Sequence, residues 1–142
     1  MVQLLCPSDL VEMTSKAEQE KRDQEIALKR KREEKAVELR EAFMSRDVRP
    51  DVIDRINKAI RIAAEQGLRR VEIVTFPCKY CNDGGRRINN LDPEWPSSLE
   101  GFAKRAFDFY ERELRPLGFK VHAEVVNYHE GRPGDITLFL RW

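Results

Sequence analysis

The chain has 142 residues, room for one hydrophobic core, and its 26 basic and 25 acidic side chains leave a formal net charge of +1. A field so nearly neutral excludes the strongly cationic class of nucleic-acid binders while leaving room for a local patch. Three cysteines (Cys6, Cys78 and Cys81) are too few for a secreted disulfide scaffold, and no run approaches the ~18 apolar residues of a membrane span, so the expectation is a cytoplasmic protein without a membrane partner.

From Ser15 to Arg46 there are ten Lys or Arg and eight Asp or Glu, with no Gly and no Pro, in a background of strong helix formers. Ser15 with Glu18 makes a capping-box pattern, and Asp9 with Glu12 offers an earlier start. Glu18–Arg22 and Glu25–Lys29 stand in the favourable i,i+4 order. The apolar positions Ile26, Leu28, Val37, Leu39, Phe43 and Met44 keep no heptad, and only the end, around Val37 and Phe43, has a stripe able to dock on a body. This reads as a charged helical arm, residues 1–46, for binding a protein partner or a second copy. The Lys29-Arg30-Lys31-Arg32 block adds an anion or nucleic-acid alternative.

The remainder, 47–142, reads as a small α/β domain, with α+β as the alternative, in the order α-β-loop-α-β-β, giving α-α-β-loop-α-β-β for the whole chain. Pro50 and Asp51 open a second helix whose apolar face is Val52, Ile53, Ile56, Ala59, Ile60 and Ala63, and Gly67 closes it. Val71 to Phe76 is a strand with little alternation, which predicts cover on both faces or a central place in the sheet. A third helix is expected from Ser97, capped by the Ser97/Glu100 pair, with Leu99, Phe102, Ala103, Ala106, Phe107, Tyr110 and Leu114 on one side. Two final strands, near Phe119–Tyr128 and Asp135–Trp142, form a hairpin. Its apolar series match with Val125 opposite Leu138 and Ala123 opposite Leu140, around a four-residue loop from Glu130 to Pro133. The first strand, third helix and second strand predict a right-handed crossover in a small mixed sheet of about three strands. His122 is expected on the outer sheet face.

The stretch Pro77–Pro96 is about twenty residues without periodicity, and such loops are usually functional or disordered. Trp95 offers a surface to pin it. Cys78-Lys79-Tyr80-Cys81 puts two thiols within reach of one point. If the first and second strands run parallel, His129 reaches the same edge, and Cys78, Cys81 and His129 make three ligands for zinc, with Asp83, Asp92, Glu130 or water as a fourth. The segment Thr75–Cys81 also resembles the strand-then-C-x-x-C segment of glutaredoxin-like proteins, which implies thiol redox chemistry at a helix N-terminus. The resemblance covers seven residues, and the Asn82-Asp83-Gly84-Gly85 turn stands where that helix would begin.

Gly84-Gly85-Arg86-Arg87 has the composition of a phosphate cradle but matches no established nucleotide pattern. With two histidines in the chain, no conventional triad can be nominated, and enzymatic activity has no positive support. The leading expectation is a binding or regulatory module acting through protein–protein contacts of the charged helix and the Cys78–Trp95 loop. Arg86, Arg87, Asn89, Trp95 and Arg132 form the expected contact surface. The alternatives are a zinc or thiol-redox protein, and an anion binder using Arg86, Arg87 and Lys29 to Arg32.

Overall fold

A long helix, α1, spans Pro7–Ser45, with residues 3–142 described by this computed structural model. The chain falls into two units that meet within this helix, one ending at Glu41 and the other running from Ala42 to Trp142. The start lies eight residues before Ser15 because Pro7 fits the first helical position, where a missing N–H is no loss. The Cys6 carbonyl accepts the Asp9 and Leu10 amides at 3.0 and 3.1 Å. No residue of α1 is buried. Glu12–Lys16 at 3.8 Å and Glu18–Arg22 at 3.7 Å are i,i+4 ion pairs on its exposed surface, each worth a few tenths of a kcal/mol at about that order.

In the second unit, α2 spans Val52–Glu65 and ends in a Schellman motif. Gly67, at φ 78°, donates to the Ala64 carbonyl, and Leu68 donates to Ala63 at 2.9 Å. The three-stranded sheet contains β1 (Arg70–Pro77), β2 (Lys120–Val125) and β5 (Asp135–Arg141), in the order β1-β5-β2. Both pairings are antiparallel, so the sheet is antiparallel rather than mixed within the expected α/β class. The first two strands do run in one direction, but the last strand inserts between them and splits the crossover. The reason is visible in the strand itself: β5 carries Ile136, Leu138, Phe139 and Leu140, all buried, and is covered on both faces.

β1 is therefore an edge strand, not a central one. Its missing alternation comes from a bulge between Glu72 and Val74: Val71 pairs with Leu140 before it, and Val74 pairs with Leu138 after it. The extra residue, Ile73, resets the pleat, so that Val71, Val74 and Phe76 all align with the core series of β5. Glu72 and Thr75 stay exposed, as an edge with one wet face requires.

The hairpin register is two residues away from the expected one, with Ala123 opposite Leu138 and Val125 opposite Ile136. The same register continues through β3 (Tyr128–His129) and β4 (Arg132–Pro133), leaving only Glu130 and Gly131 in the turn. Their φ values, 51° and 77°, are those of a type I′ turn, whose twist suits a two-residue hairpin. A shift of two keeps every side chain on its face, so the apolar pattern alone could not separate the two registers.

The third long helix starts later than Ser97. A 3-10 turn, Trp95–Ser98, comes first, then α4 (Gly101–Phe109), continued by a π turn at Tyr110–Leu114. Ser97 Oγ donates to the Glu94 carbonyl at 2.7 Å instead of capping a helix. Phe109, three residues after Ala106, is buried at the end of α4, and Tyr110 and Leu114 are buried in the π turn. Two clusters make up the core. One gathers Phe76, Tyr80, Cys81, Ile88, Leu99, Ala103, Ile136 and Leu138; the other gathers Phe109, Tyr110, Leu114 and Leu140. The last turn of α1 joins the first cluster through Phe43, whose ring lies 4.9 Å from Tyr80 and 5.4 Å from Phe76.

Candidate functional site

β1 delivers the chain at Pro77 into a 3-10 turn, Cys78–Tyr80, and the following loop is folded against the body by its own short elements. The Asp83 carboxylate accepts the Gly85 amide at 2.9 Å and the Arg87 amide at 3.0 Å, which shapes the single turn α3 (Arg86–Asn89). The amides that the sequence offered as a phosphate cradle are thus already taken within the chain, Gly85 and Arg87 by the Asp83 carboxylate and Gly84 and Arg86 by the Cys81 and Asp83 carbonyls. Arg87 Nη1 donates to Ser97 Oγ at 2.9 Å, and Asn82 Nδ2 donates to the Ser97 carbonyl at 2.9 Å. Trp95 packs edge-on against Phe107 at 5.6 Å and pins the far end of the loop, as its size suggested.

The two cysteines are set apart by burial. Cys78 donates its backbone N–H to Gly134 at 2.9 Å and its thiol to the Pro133 carbonyl at 3.1 Å, so it ties the loop to the hairpin. Cys81 is 5% exposed. Burial pushes its thiol up to about 11, against an opposing hydrogen bond with Ser98 and with Asp83 adding to the rise. Thiol exchange uses the thiolate, which this environment disfavours. Cys6, Cys78 and Cys81 are all free thiols.

His129 is exposed near the hairpin tip, in register with Arg132. Among the described residues no group of three or more His, Cys, Asp or Glu is arranged to hold a metal ion, so Cys78, Cys81 and His129 are not brought together as a ligand set. Of the expected fourth ligands, Asp83 is committed to backbone amides, Asp92 accepts the Glu94 amide at 2.8 Å, and Glu130 sits in the turn.

The Tyr128 hydroxyl donates to Asn89 Oδ1 at 3.0 Å and joins the loop to the hairpin, with Arg86 and Arg132 exposed. Tyr128 was expected only as the end of a strand and not as a contact residue; its signal was an aromatic beside the hairpin turn. The hairpin base is held by Asn127, whose Nδ2 donates to Asp135 Oδ2 and whose Oδ1 accepts the Asp135 amide.

On the outer sheet face His122 is not merely solvated. Its ring stacks on Phe139 at 5.2 Å, while Arg70 covers the same phenyl ring at 4.2 Å. Glu124 meets His122 Nε2 at 2.8 Å and accepts from Arg70 at 3.1 Å. The hydrogen bond with His122, with Arg70 assisting, holds the Glu124 carboxyl below its usual range.

The burial of Cys81 has a direct readout. With its thiol pushed up to about 11, Cys81 holds roughly one thiolate per thousand thiols at pH 8. Iodoacetamide at pH 8 is expected to alkylate exposed Cys6 and to spare Cys81 until the chain is unfolded, as read by peptide mass spectrometry. Native alkylation of Cys81 at the rate of Cys6 would contradict this burial.

Comparison with protein-family models, with curated proteins and with solved structures gives no match for this chain.

Proposed function

We propose that the chain is a small binding or regulatory module that acts through protein–protein contacts of α1 and of the loop–hairpin surface. The observation that carries this reading is a 39-residue helix in which no residue is buried. Leu10, Val11, Met13, Ile26, Leu28, Val37 and Leu39 are all exposed along it. Helices in folded proteins draw most of their stability from packing, whereas this one relies on propensity and surface ion pairs. A partner surface, from another protein or a second copy, would supply the missing packing. The exposed Lys29–Arg32 block and the glutamates around it set the charge pattern such a partner must complement. The loop–hairpin surface, with Arg86, Asn89 and Arg132 exposed beside Tyr128, is the second contact region.

The metal and redox reading draws no support from a buried, weakly acidic Cys81, and the phosphate reading draws none from amides already bound to Asp83. No helix among the described residues is long and apolar enough to cross a membrane.

Sedimentation velocity of the full chain, compared with a chain beginning at Ala42, tests the self-association form of the proposal. The cut preserves Phe43 and Met44, which pack with the body core. The full chain is expected to associate at micromolar concentration, and the shorter chain to lose that association while still unfolding cooperatively. In the full chain, Leu28→Glu with Leu39→Glu should give the same loss. Identical monomeric sedimentation of all three would eliminate a second copy and leave a different protein as the partner. Unfolding of the shorter chain would contradict the division of labour between arm and body.

A further inference from the structure

α2 leaves a cleft on the body that its own packing does not fill. Of its 14 residues only Ala63 is buried, while Val52, Ile56 and Ile60 are half-covered. Beneath the helix lies a cavity of about 250 Å³ whose floor includes Val52, Ile56, Val71, Ile73, Leu140 and Phe102. The bulge at Ile73 contributes to this floor, because it turns an additional β-branched side chain toward α2.

The mouth is charged. Arg46, Arg49 and Arg55 line it, with Glu72 as the one carboxylate among the lining residues. Asp51 engages Arg55 at 3.0 Å, and the Arg46 guanidinium lies 4.2 Å from the Phe102 ring centroid. Neither interaction uses Arg49. The excess positive charge at the opening is therefore carried by Arg46 and Arg49, next to apolar surface.

The geometry points to a binding site for a medium-chain monocarboxylate, its tail in the apolar cleft under α2 and its carboxylate between Arg46 and Arg49. This goes beyond the contact surfaces of α1 and the hairpin and does not depend on them. Three observations select the ligand class. At about 30 Å³ for each water-sized group, the cavity holds roughly eight methylene-sized groups. The apolar floor disfavours a bare phosphate, and Glu72 at the rim disfavours a second negative charge on the ligand. Arginine suits the headgroup because its planar fork matches a carboxylate with two parallel hydrogen bonds.

Titration of the full chain with octanoate, followed by amide NMR shifts, tests the site, with octanol, butanoate and inorganic phosphate as comparison probes. Saturable shifts are expected at 46–59, 71–73, Phe102 and Leu140, with octanoate bound at least about tenfold more tightly than octanol or butanoate. Phosphate should produce no saturable shift there. Arg46→Ala with Arg49→Ala should weaken octanoate about tenfold or more while leaving the spectrum folded. Ala59→Phe, which places a ring in the cleft, should abolish binding. Equal affinity for octanol, unchanged binding by the double arginine variant, or shifts without saturation would each overturn the site. Retained binding in folded Ala59→Phe would do the same.

Discussion

Leu140→Ala is expected to remove about 2–5 kcal/mol of stability, a large share of what a domain of this size possesses. Leu140 is 0% exposed. It sits on the central strand, opposite Val71 on one side and Val121 on the other, and its cluster contains Phe109, Tyr110 and Leu114. Truncation leaves a cavity that both neighbouring strands and the π turn would have to collapse to fill, and a sheet pinned on two sides relaxes little. Trp142→Ala provides the contrast, because Trp142 is two residues further on and 39% exposed. Its loss should cost less than that of Leu140, because the indole keeps part of its surface in solvent and meets Phe119 only edge-on at 6.5 Å. Calorimetry of both variants separates the two cases. Similar melting temperatures for them would mean that the last strand does not occupy the middle of the sheet.

That contrast also shows what the sequence reveals and what it hides. The apolar series Ile136, Leu138 and Leu140 identifies a strand and its core face, and the structure buries all three. Nothing in the series says that the strand inserts between the other two, because pairing partners depend on contacts far apart in the chain. Phe139 and Thr137 hold the clue. Both are buried on the opposite face, Phe139 under Arg70 and His122, and Thr137 in a 2.8 Å hydrogen bond with Thr75. A strand with burial on both faces is the central one, and β5 has it where β1 does not. In β1 the continuous apolar run suggested two-sided cover, whereas a one-residue bulge produces the same run by resetting the pleat.

The loop was legible in a different way. Its length marked it as functional or disordered and Trp95 as pinned to the body, and Trp95 does pack on the body. The pair Cys78 and Cys81 carried the strongest chemical suggestion, yet their opposite fates follow from one turn of 3-10 helix, which sends Cys78 toward the hairpin and Cys81 into the core. Spacing fixes how near two thiols are along the chain; it does not fix which of them the solvent can reach. The arginines of the α2 cleft were equally hidden, since Arg46, Arg49 and Arg55 come together only when α2 lies across the sheet.

Gly101→Ala should be more damaging than a change of one methyl suggests, with an expected loss of about 2–5 kcal/mol from backbone strain and overpacking together. Gly101 has φ 58°, a left-handed conformation that costs an L side chain about 1–2 kcal/mol. Its neighbours add the larger part. A Cβ there would lie 2.7 Å from Met44 Cα and 3.0 Å from the Phe43 carbonyl oxygen, and backbone atoms cannot swing aside as a flexible side chain does. The start of α4 and the last turn of α1 would have to separate. Arg105 would then lose its hydrogen bonds to the Met44 and Arg46 carbonyls at 2.7 and 2.9 Å, which satisfy the end of α1. Phe43 would also lift from Phe76 and Tyr80. Gly67→Ala isolates the conformational part, because Gly67 has φ 78° with nothing within 4 Å of its would-be Cβ. Its cost should stay near about 1–2 kcal/mol, and urea denaturation of the two variants measures the difference. Equal losses would show that the close approach of the two helix ends adds nothing. The steric argument further predicts that Gly101→Ala and Arg105→Ala combine with less than additive loss, since the first change already breaks what the second removes.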